Sequence, residues 1–192
     1  LISAFVAGLP GVAVFWAMAR IGRPWLGLAL AICYVLLPVT VEGGRYILLD
    51  QPVALVVALG AIAWAQASDD PRWWRFLLFA VLAAFAPLVK GNGALIALVP
   101  AIDIALTRRW SLLRKPALWI AALLTLAVVA PWYWLSFKIS AGGFNYAPGF
   151  EYAWLALATN AQAIWANLGA AGVALALVGA ASAFRTVEPG EA

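Results

Sequence analysis

The chain has 192 residues, of which 66% are hydrophobic and only 10% charged, with a formal net charge of +4. A soluble domain carries about 25% charged residues, so this balance excludes a soluble enzyme or a nucleic-acid-binding module and gives an integral membrane protein. The absence of histidine rules out a His-based metal site, triad or proton shuttle within this sequence, and the one cysteine, Cys33, excludes an internal disulfide.

A helical crossing takes about 20 apolar residues, so the length holds about seven membrane segments and no soluble domain. The first apolar run is 1–19, with Pro10 and Gly11 as a kink, closed by a basic turn at Arg20, Arg23 and Pro24. The second, 25–41, has Pro38 near its end. A polar island follows at 42–52, EGGRYILLDQP. The third run, 52–67, starts on a proline, which suits a first helical turn. It closes in a turn through Asp69, Asp70 and Arg72.

The fourth run, 73–89, stops at Lys90-Gly91-Asn92-Gly93. The fifth, 94–106, is short and broken by Pro100 and Asp103, and a basic turn at 107–115 precedes the sixth run, 116–135. A wetter segment, 136–151, reads as an interfacial loop, followed by an amphipathic lead-in at 152–162 and a last run at 164–184. The expected fold is an all-α polytopic transmembrane bundle over 1–184, with a polar cytoplasmic tail at 185–192. Leu1 opens an apolar run without a basic region or cleavage site ahead of it, which is unlike a signal peptide. The chain therefore reads as a piece of a longer protein.

Single crossings put Arg20, Arg23, Arg72, Arg75, Arg108, Arg109, Arg114, Lys115 and Arg185 on one side and Arg45, Lys90 and Lys138 on the other, nine against three. Cytoplasmic loops carry the basic excess. The polar island, the Lys90 turn and the 136–151 loop are thus expected on the non-cytoplasmic face. Trp73, Trp74, Trp110, Trp132 and Trp134 stand near run ends, as interfacial anchors do.

Charges beside a membrane core are costly to keep, so the island is the first place to look for a site. Asp50 reads as an N-cap, as a partner of Arg45, or as a carboxylate that binds an acceptor hydroxyl or amine, or a metal. Glu42 reads as a solvated loop acid. Arg45 can grip phosphate oxygens in a fork, and Tyr46 precedes Asp50 by one helical turn. In Lys90-Gly91-Asn92-Gly93, a cation and glycine-exposed backbone donors at a helix start suit a phosphate. The alternative is a tight turn with a snorkelling lysine. Asp103 either faces a bundle interior or marks an early loop, and the second reading is preferred. Lys138 and Glu151 read as loop charges.

With these residues in place, GRYILLDQP resembles the second external loop of polyprenyl-phosphate-sugar glycosyltransferases, the multi-spanning enzymes of the GT-C fold. The nearest groups are the protein O-mannosyltransferases, the aminoarabinose transferases of lipid A and the related galacturonosyltransferases. LVKGNGALIALVP resembles that family's basic-glycine turn, and APWYWLSFKISAGGF its Pro-Trp-Tyr segment. Together the matches cover most of 1–151.

The resemblance implies transfer of a sugar from a polyprenyl-phosphate carrier to a lipid, glycan or protein acceptor at the non-cytoplasmic face, and the short loops without an extra domain suggest a bacterial-type inner membrane. Asp50 matches the second-loop acid near the reacting centre, with Glu42 and Tyr46 in its vicinity. Arg45, Lys90, Gly91, Asn92 and Gly93 are the expected donor-phosphate residues. The family's main catalytic acid lies in the first external loop, ahead of the part matched here, so a fragment inactive alone is the expectation. A divalent cation, Mg²⁺ or Mn²⁺, stays an open option. The rival readings are a transporter and a non-catalytic assembly subunit.

Overall fold

The computed structural model describes residues 2–43, 49–140 and 150–185, and every regular element among them is helical. Two compact units divide between Val129 and Ala130. The island residues Arg45 and Tyr46 lie outside the described residues.

In the first unit α1 (Ile2–Arg20) and α2 (Pro24–Leu36) form a helical hairpin. Its turn closes as a Schellman motif: the Gly22 N–H donates to the Ala19 carbonyl at 3.1 Å and the Arg23 N–H to Met18 at 2.9 Å. Gly22 takes a left-handed φ of 77°, which a Cβ would oppose. Gly27 brings the helices close, since a Cβ there would stand 2.8 Å from the Met18 Cβ and 3.0 Å from the Phe15 carbonyl oxygen. The second apolar run is not one continuous helix. Leu37, at φ −58° and ψ 135°, interrupts it, because the ring of Pro38 disfavours the α conformation in the residue before it. Helix α3 (Pro38–Gly43) restarts the chain.

Helices α4 (Asp50–Asp69) and α5 (Trp73–Val89) pack against each other, and α1 also packs on α4. The buried face of α4 repeats at Val53, Val56, Gly60, Ala63 and Ala67, a three-and-four spacing that lines one side of a helix. α5 answers with Phe76, Phe79, Ala80, Ala83 and Ala86. Small residues at such positions let membrane helices approach closely. Trp64 fills the lower part of the interface, edge-on to Phe76 at 6.1 Å and to Phe79 at 5.3 Å between ring centroids.

The broken fifth run becomes a 3-10 segment, Gly91–Ala97, followed by α6 (Leu98–Thr107). Ile96 is 1% exposed and meets Gly60, where a Cβ would overlap its Cδ1. A second 3-10 segment, Trp110–Arg114, leads into α7 (Pro116–Ser140). α7 is longer than the sequence indicates. The stretch 136–140, expected in a loop, is helical, and so is Lys138. The Ser136 hydroxyl is satisfied inside the helix by the Trp132 carbonyl at 2.8 Å, so a polar side chain there need not end it. Thr125 Oγ1 donates to the Ala80 carbonyl of α5 at 3.2 Å, binding the first part of α7 to the core.

Within the second unit, the expected lead-in and last run form one element, α8 (Phe150–Arg185), with Glu151 in its first turn. The break falls at Gly169, where φ is 63° and ψ 180°, rather than ahead of Ile164. Asn160 and Asn167 donate to the Ala156 and Ala163 carbonyls at 2.7 and 2.8 Å, which satisfies amides in an otherwise apolar helix. Leu155, Leu157, Ile164, Trp165, Leu175, Leu177 and Val178 are all exposed, an apolar surface of the kind that lipid or a packed helix covers.

Among the described residues, four helices are long and apolar enough to cross a membrane: Ser3–Arg20, Asp50–Asp69, Pro116–Ser136 and Trp154–Gly179. Three further apolar segments, Pro24–Leu36, Trp73–Val89 and Gly91–Thr107, are shorter. The chain is an all-α membrane helical bundle.

Candidate functional site

The short turn between α4 and α5 makes the pair antiparallel, so the start of α4 meets the end of α5. Asp50 stands in the first turn of α4, and Lys90 follows α5 in extended conformation, φ −155° and ψ 138°. Their side chains meet in an ion pair between Lys90 Nζ and Asp50 Oδ1. Both are accessible, with 40% and 45% of the side-chain surface open. Asp50 is not the helix cap, since Leu49 holds that position and makes no side-chain capping bond. A carboxylate in the first turn is still favoured by the helix dipole. An ammonium has three donors, so Lys90 can hold a second oxyanion beside Asp50.

Behind Asp50 lies a polar support that the sequence reading missed. Gln51 is 6% exposed and its Oε1 accepts the Tyr34 hydroxyl at 3.0 Å. Thr40, 4% exposed, also hydrogen-bonds to Tyr34 through its side chain. Elements α2, α3 and α4 thus converge on the residue next to Asp50. A Tyr, a Thr and a Gln spread over the second run and the island carry no spacing that would mark them as one cluster.

The Lys90 turn divides in two. Gly91 and Asn92 are exposed, as a ligand contact requires. Gly93 is buried, its N–H donates to the Lys90 carbonyl at 2.8 Å, and a Cβ there would run into the Ala86 carbonyl and stand 2.8 Å from Val53 Cγ2. Close packing of the turn on α4 and α5 accounts for that glycine. Glu42 is exposed on α3. Among the described residues no three His, Cys, Asp or Glu side chains converge.

A second polar cluster occupies the opposite end of α4. Asp103 Oδ2 accepts the Trp64 indole N–H at 2.9 Å and the Ser68 hydroxyl at 3.0 Å. Arg109 Nη1 donates to Ser68 Oγ at 2.7 Å and pairs with Asp69 at 2.8 Å. The preferred early-loop reading of Asp103 is therefore overturned: it lies within α6 and faces α4, where it accepts from the Trp64 indole and the Ser68 hydroxyl. Arg75 reaches back to the Gln66 carbonyl at 2.8 Å and to Asp70 at 3.2 Å.

A family model described as dolichyl-phosphate-mannose-protein mannosyltransferase matches residues 1–134. A curated relative from Sodalis glossinidius (strain morsitans), undecaprenyl phosphate-alpha-4-amino-4-deoxy-L-arabinose arabinosyl transferase 2, is 33% identical over 98 residues. That stretch is 48% of this chain and 18% of the relative, so the chain matches a small part of that protein. No solved structure matches the chain.

Proposed function

We propose, since the chain belongs to the dolichyl-phosphate-mannose-protein mannosyltransferase family, that it forms part of a membrane glycosyltransferase. In this reading the enzyme moves a sugar from a polyprenyl-phosphate carrier to a lipid, glycan or protein acceptor at the non-cytoplasmic face of a bacterial inner membrane. The observation that carries the proposal is the accessible Asp50–Lys90 pair at the meeting of α4 and α5, the acid and the base of the two motifs that resemble the family's.

The chemistry needs a cation and a carboxylate side by side. The bond between the anomeric carbon and the carrier phosphate breaks, and the bonding electrons leave with the phosphate oxygen. Lys90, with Asn92 and the Gly91 backbone at the same turn, meets that developing charge. The motif resemblance assigns Arg45 to the donor phosphate as well, a role a guanidinium fork suits. The acceptor hydroxyl or amine bonds to the anomeric carbon and loses a proton, which a carboxylate at Asp50 can take up. The motif resemblance assigns Glu42 and Tyr46 to the acceptor. Tyr34 and Gln51 fix the first turn of α4, on which Asp50 rides.

The test is sugar transfer by the full-length protein in membranes from a radiolabelled polyprenyl-phosphate sugar pool, with Asp50→Asn and Lys90→Gln beside wild type. Loss of transfer in both variants, at wild-type expression, is the expected result. Wild-type rates in both would return the pair to a structural role, and no transfer by wild type from any such pool would overturn the donor class.

A further inference from the structure

The turn between α6 and α7 carries Arg108, Arg109, Arg114 and Lys115, and their situations differ. Arg109 is held by Asp69 and Ser68, at 2.8 and 2.7 Å. On the neighbouring α4–α5 turn, Arg72 and Arg75 are both held by Asp70, at 2.8 and 3.2 Å. Arg108, Arg114 and Lys115 are exposed and have no acidic partner among the described residues.

These three cations stand on a fixed frame. Leu112, only 4% exposed, anchors the 3-10 segment to the core. The Lys115 N–H donates to the Leu112 carbonyl at 3.0 Å, and Trp119 Nε1 to the Leu113 carbonyl at 2.8 Å. Arg108 caps α6 in the left-handed region at φ 55°. Trp110 and Trp119 remain 57% and 56% exposed beside them. Lys115 directly precedes the candidate span Pro116–Ser136, so the turn lies where headgroups lie.

We propose that this turn binds the phosphodiester headgroup of an acidic phospholipid. Arg108, Arg114 and Lys115 supply the charge, and Trp110 and Trp119 rest at headgroup depth. Guanidinium forks match phosphate oxygens, and indoles favour the membrane–water boundary. The exposed indoles and the adjoining span point to a lipid rather than a soluble phosphate. The surface lies at the Asp69 end of α4, away from Asp50, and its existence does not depend on the transferase reading.

The experiment titrates the full-length protein in detergent with phosphatidylglycerol or phosphatidylcholine and counts bound lipids by native mass spectrometry. Wild type is expected to retain phosphatidylglycerol in preference. Each basic residue at an anionic surface strengthens binding roughly fivefold, so Arg108→Gln/Arg114→Gln/Lys115→Gln lowers it on the order of 100-fold. Arg114→Gln alone lowers it about fivefold. Arg72→Gln, on the neighbouring turn, removes a cation engaged with Asp70 at 2.8 Å and lowers retention less than Arg114→Gln does. Equal retention of the two lipids by wild type would overturn the proposal. So would unchanged phosphatidylglycerol retention in the triple variant, an equal loss in Arg72→Gln, or full displacement of the lipid by glycerol phosphate.

Discussion

The Lys90 ammonium closes on the Asp50 carboxylate across the mouth of the α4–α5 hairpin, joining residues forty positions apart in sequence. A half-exposed pair of this kind adds only about 0–1 kcal/mol to stability. Losing a group that meets developing charge costs on the order of 100-fold to 1,000-fold in rate. Asp50→Asn and Lys90→Gln should therefore leave the thermal midpoint nearly unchanged while abolishing transfer. The exchange Asp50→Lys/Lys90→Asp rebuilds the pair with its ends reversed, so it should fold as well as wild type and stay inactive. Activity in the exchanged protein would show that the pair acts only as a clasp.

Gly93→Ala should act on the fold. The added methyl meets the Ala86 carbonyl, a backbone atom that cannot swing aside, and Val53 Cγ2 at 2.8 Å. Overpacking of this kind costs about 1–3 kcal/mol. Asn92→Ala, one residue earlier and exposed, should leave stability alone and weaken only donor use. Thermal unfolding of both variants beside donor titration separates the two effects, and equal unfolding midpoints would refute the packing account of Gly93.

Much of the helical layout was legible because charges and prolines punctuate it. Helix α5 runs from Trp73 to Val89 as read, since Arg72 and Lys90 bound it. What the sequence conceals is which side chains meet. Helix packing brings Lys90, forty residues on, to Asp50, a meeting that no spacing in the sequence marks. Asp103 reads as the start of a loop beside Pro100 and ahead of Thr107, until α4 supplies two donors for it. The end of α7 is concealed for a related reason: Ser136 bonds to its own helix and needs no loop. Gly169 breaks α8 inside a run whose other glycines do not, and composition does not distinguish them.

Tyr34→Phe should act on Asp50 indirectly. It removes the hydroxyl that donates to the buried Gln51 amide at 3.0 Å, and an unsatisfied buried acceptor costs about 1–3 kcal/mol. Gln51→Leu removes the polar atom itself but orphans the Tyr34 hydroxyl, whose other side-chain partner is Thr40. If the pair serves to hold the first turn of α4, either variant should lower kcat more than it raises KM for the donor. A pure KM effect would instead make Tyr34 a substrate contact.

Asp103→Ala should be among the most damaging changes away from the proposed site. It strands the Trp64 indole N–H, which lies in a residue 2% exposed, and removes one partner of Ser68. The expected loss is about 1–3 kcal/mol. Asp103→Asn keeps an acceptor oxygen for Trp64 and should lose less, with Trp64→Phe removing the indole bond but keeping an aromatic ring against Phe76 and Phe79. If the indole–carboxylate bond dominates, Asp103→Ala and Trp64→Phe together should cost less than the sum of the two singly, because the second change removes the donor that the first one strands. Strict additivity in a double-mutant cycle of unfolding midpoints would mean that Asp103 stabilises the bundle through Ser68 instead.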